Sequence, residues 1–354
     1  MKVSIPTLDL TKIIKLMEAF YKPSKIFEYS NHITIKGGGG YIYFQLPVIE
    51  SGSSNAVISY RYDCVVDEPF DVAVNFEQLA KVVQTCKSAV LTLTVQDHLL
   101  ITFDSYRHVL SLTTWVIPPK IRSTLLDFRS NLTRENANFY KVKDLYEALK
   151  SVSEDLNGNM LAKAGLDGIY MGVDGIMVTD GLKLSHTEFT STMALYFPRT
   201  IVKILKEFPQ NSNIVLTKRD GIAYSICDNI EMYFEEWMYA DKFPKEKLDA
   251  FLRQECIPFV KDVEDFMEKF STMYQFSDRI ILDGEKNQII SQDGTTVIGC
   301  DFLSDKVIHV HGTNIPKSVF KTQWTNVNLI GPMDALHFTN GKEQKVLLPL
   351  RKGE

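Results

Sequence analysis

At 354 residues and 40.4 kDa, with 45% hydrophobic residues, the chain is long enough for two or three domains, each with a core of its own. It contains no run of about 18 apolar residues, and no N-terminal segment joins a basic start to a long apolar core. A membrane span and a secretory leader are therefore not expected, and the expected location is the cytoplasm. The formal net charge of -5 argues against a uniformly basic nucleic-acid binder, although phosphates feel the field of one face, so the placement of the lysines matters more than their sum.

The first predicted helix, Leu8 to Phe20, sets Ile13, Met17 and Phe20 on one face, with Lys12 and Lys15 off it and Lys22 and Lys25 following. Gly37 to Gly40 precedes a strand, Tyr41 to Leu46, rather than a helix, and no Lys-Ser/Thr follows; this is a hairpin turn and not a phosphate loop. From Phe70 to Leu112 the order is strand, helix, then three strands, with Lys81 and Lys87 on the helical segment. Periodicity is lost from Ile117-Pro118-Pro119-Lys120 to Asn136, which marks a linker. Asn131-Leu132-Thr133, inside it, fits a glycosylation acceptor, a chance match where no secretory signal is read.

A second pass begins with a helix at Val142 to Val152, striped by Leu145, Leu149 and Val152. Gly168 to Leu184 then alternates apolar and polar residues, reverses at a Val-Asp-Gly turn and runs into a second turn, Thr179-Asp180-Gly181, flanked by Leu182 and Leu184. Met193 to Glu235 repeats the strand, helix and strands. On its helix, Pro198 to Phe208, the stripe is Ile201, Ile204, Leu205 and Phe208, while Arg199, Lys203 and Lys206 lie on the other face.

The third pass opens with a helix at Phe259 to Phe270, striped by Val263, Phe266, Met267 and Phe270. It bears Asp262, Glu264, Asp265 and Glu268 against Lys261 and Lys269, so a basic lining made of such helices would be incomplete. Lys306 to Leu350 gives the strand-helix-strand order again, with Lys317 and Lys321 on the helical segment. In the closing KVLLPLR, Pro349 interrupts the ladder and sets that strand at an edge or at its end.

The helix openings Phe76, Pro198 and Pro316 recur at intervals of about 120 residues, the sign of repeated units of similar size. The expected organisation is a domain over 1–120, a linker over 121–136, and domains over 137–248 and 249–354. The expected class is α+β, each domain having two helices packed on antiparallel sheets. Cys64, Cys86, Cys227, Cys256 and Cys300 form no C-x-x-C and read as free thiols. His309 and His311 share one strand face but no third ligand is evident, so no metal or cofactor is expected. The Thr179 turn and the tail carry apolar side chains beside backbone kinks, as a peptide-docking groove does.

Three segments, Val178-Thr179-Asp180-Gly181-Leu182-Lys183-Leu184, Asp241-Lys242-Phe243-Pro244 and Leu347-Leu348-Pro349-Leu350-Arg351, stand in the order of motifs in one family. In this the chain resembles the bacterial DNA polymerase III beta subunit, the beta sliding clamp, over nearly its whole length and most strongly from Asn138 to Leu248. The resemblance implies three clamp domains per chain making half of a ring. Two chains would close head to tail around duplex DNA, without base specificity, without catalysis and without a cofactor, and would tether the replicative polymerase.

It also implies site residues. The peptide-binding groove for polymerase and clamp-loader peptides, between domains 2 and 3, falls on Thr179, Gly181, Leu182, Lys183, Leu184, Pro244, Leu248, Met333, Ala335, Val346, Leu347, Leu348, Pro349, Leu350 and Arg351. The DNA-facing set is Lys12, Lys15, Lys22, Lys25, Lys81, Lys87, Arg199, Lys203, Lys206, Lys317 and Lys321, and the dimer interface takes Leu110, Leu112 and Phe270. Leu182 replaces the family's usual His, Lys183 its Arg, and Leu248 stands where Arg is common; a lysine lacks the planar guanidinium fork, so peptide preference is expected to differ. The alternative reading is a clamp-like peptide-binding scaffold that never encircles DNA.

Overall fold

The computed structural model describes residues 2–23, 25, 28–49, 55–113, 137–155, 166, 168–219, 221–235 and 243–349. The expected linker, the acceptor pattern at Asn131, the groove positions Leu350 and Arg351 and the side chain of Lys317 lie outside the described residues.

The chain repeats one half-module, strand-helix-three strands, five times, and a sixth time with a 3-10 turn in place of the helix. The first is β1 (Lys2–Pro6), α1 (Thr7–Glu18), β2 (His32–Gly38), β3 (Tyr41–Ile49) and β4 (Asn55–Asp63). The second is β5 (Phe70–Asn75), α2 (Phe76–Thr85), β6 (Val90–Val95), β7 (His98–Phe103) and β8 (Tyr106–Ser111). The third is β9 (Ala137–Lys141), α3 (Val142–Ser153), β10 (Gly168–Gly172), β11 (Gly175–Thr179) and β12 (Lys183–Thr187). The fourth is β13 (Leu195–Pro198), α4 (Thr200–Glu207), β14 (Asn213–Arg219), β15 (Ile222–Cys227) and β16 (Ile230–Glu235). After a connecting helix α5 (Lys245–Leu252), the fifth is β17 (Cys256–Pro258), α6 (Val263–Phe276), β18 (Arg279–Asp283), β19 (Gln288–Ser291) and β20 (Val297–Gly299). The sixth is β21 (Val307–His311), a 3-10 turn (Lys317–Phe320), β22 (Asn326–Ile330), β23 (Ala335–Thr339) and β24 (Glu343–Leu347).

Every pairing between these strands is antiparallel, and the four sheets follow one rule. The strand that opens a half-module joins the three-stranded meander of its companion half, giving β1-β6-β7-β8, β5-β2-β3-β4, β14-β15-β16 with β9, and so on. Two sheets then fuse through their last strands. β4 pairs with β16, Ile58 opposite Met232, and β12 pairs with β24, Ser185 opposite Lys345. The results are the eight-stranded sheets β5-β2-β3-β4-β16-β15-β14-β9 and β13-β10-β11-β12-β24-β23-β22-β17, beside two four-stranded ones, β1-β6-β7-β8 and β20-β19-β18-β21.

Compact units accordingly follow hydrogen-bonded sheets. Unit 1 is Met1–Tyr146 with Thr200–Met238, and unit 2 is Glu147–Arg199 with Tyr239–Glu354; each owns one eight-stranded and one four-stranded sheet. In unit 1, α1 buries Leu10, Ile13, Ile14 and Met17, and α2 buries Leu79, Ala80, Val82 and Val83. The two helices lie side by side, with Tyr21 against the Phe76 ring at 4.8 Å and Asn75 capping α2 by accepting from Gln78 N–H at 3.0 Å. In unit 2, Phe266, Phe270 and Met273 of α6 pack on Ile280, Leu282, Ile289, Val310 and Phe338.

Two helices differ from the sequence reading. α6 begins at Val263 because Phe259 and Val260 are held as extended chain: Phe259 N–H donates to Val327 O at 3.0 Å, and Asp262 then caps the helix by accepting from Asp265 N–H at 3.0 Å. The helix expected after Pro316 is only the 3-10 turn, closed by Val319 N–H to Pro316 O at 2.9 Å and Lys321 N–H to Ser318 O at 3.0 Å. The Trp324 indole N–H takes the Val319 carbonyl at 2.8 Å, which an α-helix would need for its own ladder. The third module therefore has one α-helix where two were expected, and Lys321 lies beyond the turn, on no helix.

Candidate functional site

The turn between β11 and β12 is fixed by its own polar groups. Thr179 Oγ1 donates to Lys183 O at 2.8 Å and accepts from Gly181 N–H at 3.1 Å, and Asp180 Oδ1 accepts from Leu182 N–H and Lys183 N–H at 3.0 and 2.9 Å. Gly181 sits at φ +85°, where a side chain is strained. The turn so formed throws Leu182 outward, 43% exposed, and turns Lys183 inward, its Nζ 3.5 Å from Asp180 Oδ2.

The tail runs beside this turn. Lys183 faces Leu347 in the ladder, and Leu348 N–H donates to Leu182 O at 2.9 Å before Pro349, which has no N–H, ends the pairing. Across β24, Leu347 faces Leu336 of β23, so the turn between β22 and β23, with Met333 49% exposed, stands at the same end of the sheet.

α5 is tied to this sheet at its two ends. At its start the Phe243 ring stacks on Tyr170 at 5.5 Å and meets the edge of Tyr196 at 5.2 Å. Lys245 is bonded to Asp249 and lies 3.3 Å from Asp174, and its hydrogen bond with Asp249 holds the ammonium above the usual lysine range. Burial raises the Tyr170 phenol in the same place. At its far end Phe251 and Gln254 close on Gly331, where a Cβ would come within 2.5 Å of Gln254 Oε1. Exposed Leu182 and Met333 and half-buried Leu348 and Pro349 make an apolar lip at this end of the sheet, and Pro244 and Leu248 of the connecting segment are half-buried.

Several expected lining residues lie deeper. Thr179, Leu184, Ala335 and Val346 are buried on one face of the sheet, while Lys183, also buried, shares the other face with Leu347, which belongs to the hydrophobic core there. The same sheet holds a polar node that the sequence did not announce. Lys345, wholly buried, donates to Asp155 Oδ2 at 2.6 Å and Ser151 O at 2.8 Å, while Ser185 and Ser318 hydroxyls also donate to Asp155. Four segments remote in sequence meet on one carboxylate, which no local spacing could signal.

Of the expected interface residues, Leu110 is buried in the unit 1 core and Phe270 is fully enclosed in that of unit 2, stacked on Phe266 at 5.2 Å. Neither has surface to offer a partner, since alternation along β8 turns Leu110 inward; Val109, 59% exposed, faces out instead, and Tyr106, 62% exposed, stands at the strand's start. Leu112, just past β8, is partly exposed. Lys12, Lys15, Lys22, Lys25, Lys81, Lys87, Lys203 and Lys206 are exposed and Arg199 is half-exposed, whereas Lys321 lies 3.3 Å from Glu154. His311 Nδ1 accepts from Thr313 N–H at 3.2 Å.

No protein-family model matches the chain, and no curated protein sequence does. Solved structures do. The chain is similar over 99% of its length to all of the DNA polymerase III subunit beta from Pseudomonas aeruginosa (100% covered, TM-score 0.74, 14% identity). It is equally similar to a putative DNA polymerase III beta subunit from Eubacterium rectale (99% and 100% covered, TM-score 0.74, 14% identity). A third match is the Helicobacter pylori beta clamp bound to a DNA ligase peptide (99% and 100% covered, TM-score 0.66, 17% identity). The class that this architecture defines is the sliding-clamp fold, an α+β arrangement of repeated clamp domains. Within that class, the solved chains it matches end to end are bacterial DNA polymerase III beta subunits.

Proposed function

We propose that the protein is a DNA sliding clamp: two chains close head to tail around duplex DNA, and the apolar lip on unit 2 docks short peptides of the polymerase and its loader. The observation that carries this reading is an unfinished pattern in the sheets. The last strand of each odd half-module pairs with the last strand of an even one, β4 with β16 and β12 with β24. Among the described residues two such strands are left over, β20 and β8, and both are edges of four-stranded sheets. Joining β8 of one chain to β20 of another completes a third eight-stranded sheet by the same rule, and doing it twice closes a two-fold ring. The exposed residues suit that use, since Val109 and Tyr106 on β8 and Val297 on β20 (50% exposed) are large apolar groups on unpaired edges.

Holding DNA in this way needs no reaction and no strong phosphate contact, because a closed ring cannot leave a long duplex sideways. A tethered polymerase is then kept at high effective concentration at the primer end. The lip, apolar with few polar edges, suits an extended peptide with aliphatic and aromatic anchors, and one of the similar solved structures holds a DNA ligase peptide. Sedimentation equilibrium tests the reading: a species of twice the 40.4 kDa chain mass at micromolar concentration is expected. A strict monomer would instead favour a peptide-binding scaffold.

A further inference from the structure

The charge of this chain is divided unevenly between its two units. Acidic and basic residues balance in unit 1, and the whole net charge of -5 belongs to unit 2. The helix faces differ in the same sense. In unit 1, α1, α2 and α4 turn their apolar stripes inward and leave Lys15, Lys81, Lys203 and Lys206 exposed, with no ion pair among the described residues; Lys12 has only Asp9, at 3.8 Å. Lys22, Lys25 and Lys87 add exposed charge just past α1 and α2.

In unit 2 the corresponding cations are already neutralised. Lys269 of α6 is 2.6 Å from Asp265, Lys150 of α3 is 3.9 Å from Glu154, and Lys321 is 3.3 Å from the same glutamate. Glu264 and Glu268 add further acid to α6, and the helix that would have carried Lys317 and Lys321 is absent. An ammonium with a carboxylate beside it presents little net field to a phosphate, while an unpaired one presents its full charge.

We infer that the DNA phosphates are contacted by the helix lysines of unit 1 alone, and that unit 2 serves ring closure and peptide docking without holding DNA. This rests on the clamp reading above. It narrows the partner surface to α1, α2 and α4 and removes Lys321, paired with Glu154, from it.

The test is the salt dependence of binding to a short fluorescent duplex, followed by anisotropy on the full chain. Lys203→Gln with Lys206→Gln should lower affinity at least tenfold at low salt and make the slope of log K against log salt shallower by about two per chain. Lys150→Gln with Lys269→Gln should leave affinity within about twofold and the slope unchanged, on the same counterion argument. Circular dichroism melts would confirm that both pairs of variants fold. A unit 2 pair that flattens the slope as much as the unit 1 pair would overturn the inference and leave the clamp reading standing. A parent that binds no duplex at any salt would overturn the inference alone, whereas a strictly monomeric parent would overturn the clamp reading on which it rests.

Discussion

Leu182 owes its exposure to Gly181, and the consequence can be measured. Because the turn is held by Thr179 and Asp180 and not by Leu182 itself, replacing that leucine changes the lip without changing what fixes the loop. Leu182→Glu and Met333→Glu should each weaken a polymerase-derived peptide at least tenfold by calorimetry, with unaltered melting temperatures. Unchanged affinity would dismiss the lip as the docking site. Lys183, by contrast, is spent on Asp180 inside the turn and offers a peptide no cation. The motif at this turn was legible in the sequence, but which of its side chains faces water was not, since that depends on the left-handed backbone at Gly181.

A second residue sets a pH dependence. His337 is buried on β23, its Nδ1 3.3 Å from Cys256 Sγ and its Nε2 3.1 Å from Gln344 Oε1, and burial holds the ring below the ordinary histidine value of 6.5. The fold therefore prefers the neutral ring. Its contribution to stability is complete above pH 6.5 and is lost as pH falls below that, where the unfolded chain takes up a proton that the folded one resists. Thermal melts from pH 7.5 to 5 should show this loss, and His337→Gln should reduce it; identical profiles for the two proteins would show that the ring titrates normally in the fold.

At the scale of elements, the strand order is more informative than the helices. Among the described residues, β8 has one ladder neighbour, β7, and β20 has one, β19, although the same strands of the other half-modules have two. An unpaired edge with exposed Val109 and Tyr106 is an aggregation hazard unless a partner covers it. Val109→Lys places a charge in the middle of that edge while leaving the inward Leu110 untouched. It should raise the dimer dissociation constant at least tenfold by sedimentation, with the melt preserved, and a dimer as tight as the parent would exclude this edge.

The repeat of strand, helix and strands was readable at this scale because its apolar periods switch regularly. The missing helix after Pro316 was not readable. IPKSVFKTQW has an adequate apolar spacing, and only the Trp324 indole, brought onto the Val319 carbonyl by the core around it, shows that the turn stops at four residues.

For the whole molecule, the expected behaviour is topological. Protein loaded on circular primed DNA with a suitable loader should stay bound until the circle is cut, then leave from the ends. Equal loss from intact and linearised DNA would contradict encirclement. Composition alone pointed the other way, because a net charge of -5 describes the sum of a balanced unit and an acidic one.

The sequence by itself determined the class of the fold, the alternation of strands and helices and the near-equal spacing of the repeats, since each follows from local periodicity and turn chemistry acting over a few residues. It also located the Thr179 turn and the proline-ended tail. Only the tertiary structure decided that Leu110 and Phe270 are core, that Lys183 is internal, that Asp155 gathers Lys345, Ser185 and Ser318, and that modules fuse through β4 with β16 and β12 with β24. Those outcomes depend on hydrogen bonds and packing between segments far apart in the chain, where a period of two or of 3.6 residues shows which face is apolar but not what will cover it.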